Sequence, residues 1–141
     1  MSHKYLNKIG IKSTDTCIFN TEEKDDSRNK RFKKQRKKYG FDERETWSMD
    51  YTLASWIYEH FMLYKKINCV DLTFHKFDIP KWDDKILDEK VEITQEEGIN
   101  LVLNNIKFFL KNEDFDKELE AYERYKYALI IMAEIMPAMW W

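Results

Sequence analysis

The sequence predicts a mainly α fold of the α+β class, a single domain with three principal helices and a short strand or hairpin, and three observations carry that prediction. Apolar residues recur at three- and four-residue intervals over three long windows, 43–66, 95–111 and 115–136. A stretch between the first two alternates instead, as a half-buried strand does. Only three Gly and two Pro punctuate 141 residues, which leaves little material for tight turns or glycine-rich phosphate loops. An apolar share of 43% with nine Phe, eight Tyr and five Trp is enough for one well-packed core at this length.

Residues 1–26 have no sustained period and read as an irregular N-terminal segment, in which Cys17, Ile18 and Phe19 suit a short extended piece. The helical domain then occupies 27–141 and includes the basic run 28–38, where Phe32 and Tyr39 fall on one side of a helix and face the core. Gly40 breaks that run. Asp42 followed three places later by Glu45 has the form of a helix start. From there Trp47, Tyr51, Ala54, Ile57, Phe61 and Tyr64 extend the first principal helix to about Lys66, with Leu53 and Trp56 widening its stripe. Between Cys69 and Ile79, Val70, Leu72 and Phe74 alternate with Asp71, Thr73 and His75, so a strand is expected although Phe77 breaks the pattern. Pro80 ends it, and 81–90 is a charged connection.

Thr94 and Glu97 have the spacing of a capping box and open the second helix, whose core residues are Ile99, Val102, Leu103, Ile106, Phe109 and Leu110. The third is capped by Asn112 or Asp114, with Phe115, Leu119, Tyr122, Leu129, Met132, Ala133 and Met136 as its buried stripe. Pro137 stops it, and at least one of Trp140 and Trp141 is expected to lock the chain end into the core.

Charge is the most informative functional feature. The run Arg28–Lys38 carries eight positive charges in a chain of formal charge -2, so the other 130 residues carry -10. Such a run attracts phosphate-bearing partners. Arg31, Lys34, Arg36 and Lys37 are the candidate phosphate contacts, Arg44 offers a bidentate fork on a rigid helix, and Trp47 offers a ring on which a base can stack. The competing reading is a solvated helix face, which charge runs of this kind also form.

Catalytic signatures are lacking. Ser48, Ser55 and Cys69 sit in no nucleophile motif, and Cys17 and Cys69 have the separation of two reduced thiols rather than of a metal or redox motif. Asp71 and His75 could share a strand face and recruit Asp50 or Glu59, but no recognised metal spacing is present, and the neighbours Glu59 and His60 point about 100° apart on a helix. A carboxylate–histidine hydrogen bond is the simpler expectation, and neither metal nor cofactor is expected. No segment approaches the roughly 20 apolar residues of a membrane span.

The strings YGFDERETW, VDLTFHKF and IMPAMWW resemble those of a group of short, mostly uncharacterised proteins of bacteriophages and prophages of low-GC bacteria. The resemblance covers about Lys34 to Ile79 and resumes from Ile135 to Trp141, and the abundance of Lys and Ile against scarce Ala and Gly agrees with a low-GC genome. It implies a phage-encoded protein acting in the cytoplasm of the host bacterium and assigns no functional residue. The resulting expectation is a non-catalytic binding protein, an antagonist of host defence that captures an anionic nucleotide-type ligand or blocks a nucleic-acid-binding effector. Its partners are then a nucleotide, a nucleic acid or a host defence protein, with no membrane and with room for a homo-oligomer. Two alternatives stand beside it: an accessory protein that binds nucleic acid directly, and a small metal-dependent hydrolase built on Asp71 and His75.

Overall fold

Three principal helices and one small hairpin form, as the apolar spacing predicts. The computed structural model describes residues 3–11, 27–68, 71–81 and 89–139. The elements are α1 (Lys4–Lys8), α2 (Asn29–Tyr39), a 3-10 turn (Glu43–Thr46), α3 (Met49–Ile67), β1 (Lys76–Pro80), β2 (Lys90–Thr94), α4 (Gln95–Lys111), a 3-10 turn (Phe115–Lys117), α5 (Glu118–Ile135) and a final 3-10 turn (Met136–Ala138). They fall into two compact units, Met1–Glu59 and His60–Trp141. Among the described residues no helix is long and apolar enough to cross a membrane.

In the first unit, α1 lies where irregular chain was expected. Five residues make a helix too short to persist alone. Its free amino-terminal N–H groups are satisfied from α3, since Glu59 Oε1 accepts from the backbone of Tyr5 at 3.1 Å and of Leu6 at 2.8 Å. Leu6, Phe32, Ala54, Ile57 and Tyr58 are buried. Gly40, at a left-handed φ of 86°, closes α2 and sends its N–H back to the Arg36 carbonyl. Tyr39 does not join Phe32 in the core: it is exposed, under Lys38 and against Phe41. The segment Cys17–Phe19 lies outside the described residues.

The helix expected from residue 43 starts later. Asp42 does cap, but its side chain accepts from the Arg44 N–H and starts a single 3-10 turn, and α3 begins at Met49. Glu45 sends its N–H to the Asp42 carbonyl at 3.1 Å rather than to the Asp42 side chain.

In the second unit, β1 and β2 pair antiparallel with Phe77 opposite Ile93 and Ile79 opposite Val91. Ile79 and Ile93 are the buried positions of the hairpin. The strand thus lies later than predicted, since Asp71–Phe74 is folded into a turn and Phe74 is 77% exposed. Cys69, Val70 and most of the 81–90 connection lie outside the described residues.

The capping box at Thr94 forms in both directions. The next free N–H groups are also used, Gln95 donating to the His75 carbonyl and Glu96 to that of Leu72, so the start of α4 is saturated. All six core residues predicted on α4 are buried. Phe109 stacks on Tyr125 with centroids 4.6 Å apart. On α5 the buried face carries Ala121, Tyr125, Ala128, Ile131 and Ile135, whereas Phe115 and Leu119 are 85% and 83% exposed. Tyr122, Ala133 and Met136 are exposed as well, and Leu129 and Met132 half-buried. The predicted stripe was rotated off the true one because α5 has apolar residues nearly all round, a pattern from which no single face can be chosen.

Candidate functional site: a basic helix with an acidic buckle

The eight cations of 28–38, seven of them within α2 and Arg28 at its N-cap, separate by chemistry once the helix forms. At 100° per residue, Arg28, Phe32, Gln35 and Arg36 share one side, with Arg31 at its border. Lys30, Lys33, Lys34, Lys37 and Lys38 occupy the other, and all five are exposed. Phe32 anchors the inner side by being fully buried.

Two acids just past Gly40 fold back against that inner side. Asp42, itself buried, takes the Arg44 guanidinium in a fork, Nε at 2.8 Å and Nη2 at 2.7 Å, accepts the Arg44 N–H at 3.1 Å, and is also held by Arg36 Nη1. Two arginines and burial act on its carboxyl. The hydrogen bond from Arg44 outweighs the opposing effect of burial, and with Arg36 it pulls the pKa from 3.8 to about 2. Glu43 is bridged by Arg31 and exchanges two bonds with the Gln35 amide, 2.9 Å to Oε2 and 3.0 Å from its own N–H. Those bonds lower its pKa too, Gln35 contributing most. Neighbouring Glu45 is pushed upward, mainly by burial.

Guanidinium groups also crowd the Phe32 ring, with Arg44 4.4 Å, Arg28 5.5 Å and Arg31 5.8 Å from its centroid. Trp47 meets Phe32 edge-on at 6.3 Å, and Arg28 lies over its indole at 5.4 Å. Of the predicted contacts, then, Lys34 and Lys37 stand on the outer face. Arg36 and Arg44 are spent on Asp42, Arg31 is spent on Glu43, and Trp47 belongs to the cluster around Phe32. Missing from the sequence-based set were Asp42 and Glu43 as partners of the run and Lys30, Lys33 and Lys38 as members of the outer face. The signals were present: two acids immediately after the turn, and lysines spaced i, i+3, i+4 and i+7.

The weak metal candidates are engaged otherwise. Asp71 Oδ1 accepts from the Thr73 N–H at 2.9 Å and its hydroxyl at 2.6 Å, which holds the carboxyl below its ordinary pKa. The His75 ring lies edge-on to Phe74 at 5.3 Å. Among the described residues no group of three His, Cys, Asp or Glu side chains is placed to hold a metal ion. An open groove in the second unit, lined by Lys107, Phe108, Lys111 and Lys117, also carries Glu113 and Asp114 and is mixed in charge. Comparison with protein-family models, curated proteins and solved structures found no match for this chain.

Proposed function

We propose that this chain is a non-catalytic binding protein that holds nucleic acid by its phosphate backbone through the lysine face of α2. One observation carries the reading: the arginines of the run contact Asp42, Glu43 and Phe32, while Lys30, Lys33, Lys34, Lys37 and Lys38 share one exposed face of the helix. Lysine is a compact point charge and suits electrostatic attraction along a phosphate backbone, whereas reading bases calls for the arginine fork. The nucleotide-capture form of the expectation has less support, because the fork of Arg44 is filled by a buried carboxylate. The resemblance to phage and prophage proteins supports a setting inside an infected bacterium. There, coverage of nucleic acid denies a host defence its ligand.

Fluorescence anisotropy with a short labelled duplex tests this. Replacing Lys30, Lys34 and Lys37 by Gln removes three phosphate contacts and reduces the log–log salt slope by about three, at roughly 0.9 per phosphate on B-form DNA. A triple variant that binds with wild-type affinity and slope overturns the reading. If Arg44→Ala alone abolishes binding of a mononucleotide, the ligand is a nucleotide and the arginine cluster is its site.

A further inference from the structure

α3 is apolar on two opposite faces. One is buried through Ala54, Ile57, Tyr58 and Phe61. The other carries Met49, Leu53, Trp56, His60, Leu63 and Ile67, all exposed, the five apolar ones by between 41% and 67%. Their spacing is 4-3-4-3-4 along one continuous helix, the 3.5-residue repeat of a coiled-coil seam. Scattered exposed apolar residues are ordinary. A stripe in heptad register over 19 residues is not, because each member lies above the last and together they form one ridge.

We infer that this outer ridge of α3 is a homodimer seam in which two copies pack antiparallel about a two-fold axis near Tyr58. The spacing reads the same from either end. Antiparallel pairing therefore sets Met49 against Ile67, Leu53 against Leu63 and Trp56 against His60 of the second copy, with no apolar position left opposite a gap. Charge selects the same direction. The helix begins with Asp50 and ends with Lys66, next to Lys65, whose Nζ donates to Asn100 Oδ1 at 2.6 Å, so antiparallel copies bring the acidic end to the basic end and oppose their helix dipoles, whereas parallel copies bring like to like. A second copy is the occupant that supplies both the matching repeat and the matching charge. A 19-residue helix spans only about 28 Å, so the contact is below the standard interface of roughly 800 Å² per partner and belongs to the weak, reversible class. The single polar member, His60, sits where one polar residue in a seam sets register.

Sedimentation equilibrium of the full chain, followed from micromolar to millimolar concentration, is expected to show a reversible dimer. Leu53→Glu/Leu63→Glu, which alters exposed residues only, is expected to remain monomeric with an unchanged circular dichroism spectrum. Direction is read by cross-linking in a Cys17→Ser/Cys69→Ser background. Leu53→Cys chains mixed with Leu63→Cys chains should form a disulfide-linked pair, while Leu53→Cys alone should not, its two copies lying about 15 Å apart along the seam. Wild-type protein that is monomeric at every concentration overturns the proposal, as does a Glu double variant that still dimerises. Ready cross-linking of Leu53→Cys alone overturns the antiparallel arrangement. None of these outcomes depends on the lysine face of α2, whose test is made with nucleic acid.

Discussion

Asp42 is the residue on which the basic helix depends. Its carboxylate is buried and accepts from both Arg36 and Arg44, so removing it takes a buried carboxylate from two mostly covered guanidinium groups. Breaking one partner of a buried pair costs about 3 kcal/mol or more, and Asp42→Asn is expected to fall near that value in urea denaturation. The acid dependence follows from the sign of the shift. A carboxyl lowered from 3.8 to about 2 in the folded state contributes about 2 kcal/mol that is fully present above its unfolded pKa and is lost as pH falls through the folded one. The stability gap between wild type and Asp42→Asn should therefore be constant near neutrality and shrink between about pH 4 and 2. A gap that stays the same across that window means that the carboxylate is not the charged partner of the arginines. Sequence spacing alone assigned Arg36 and Arg44 to a ligand, because it registers positive charge but not the acid that the turn at Gly40 folds back onto it.

At the scale of elements, α4 was read from its residues almost without error, since both its start and its face are local properties. The Thr94–Glu97 pair closes within one turn, and the apolar stripe is bounded by polar residues on either side. Its close packing was not local. A Cβ placed on Gly98 would lie 2.9 Å from Cγ2 of Ile135 and 3.2 Å from Cδ1 of Ile93, so this glycine lets α4 approach α5 and the hairpin. Gly98→Ala gains up to about 1 kcal/mol of helix propensity but crowds a branched side chain whose γ carbon cannot swing away, a cost of about 1–3 kcal/mol. Net destabilisation of about 1 kcal/mol is the expected result of thermal unfolding. A variant more stable than wild type contradicts so tight a contact. Truncating Leu103 to Ala, by contrast, should cost about 2–5 kcal/mol, as core truncations do, and a loss under about 0.5 kcal/mol, the surface range, contradicts its burial.

For the molecule as a whole the decisive quantity is the division of charge, eight positives within residues 28–38 against -10 on the rest. A polyanion is attracted by the helix and repelled by the remainder, and the range of each effect is set by the Debye length, about 30 Å at 0.01 M salt and 10 Å at 0.1 M. Added salt weakens the field of distant acids more than it weakens the direct contact of phosphates with the lysines. The log–log salt slope of duplex binding is therefore expected to be shallower at low salt than at physiological salt, measured by anisotropy across that range. A slope equally steep at both ends means that the acidic remainder exerts no repulsion on the bound chain.

What the sequence determined by itself was whatever depends on near neighbours: three helices, the capping box at Thr94, the burial of Phe32 and the segregated charge. The structure alone decided which face of α5 is buried and that β1 starts at Lys76 rather than at Cys69. It also gave α1 a cap from Glu59, some fifty residues away, and divided the basic run into arginines that meet an acid or an aromatic ring and lysines gathered on one exposed face. The physical reason is common to these cases. A residue's spacing fixes its direction on its own element, but whether that direction meets a carboxylate, an aromatic ring or water depends on chain that arrives from elsewhere. Where an element is apolar on several sides, as α3 and α5 are, only the partner chooses the buried side.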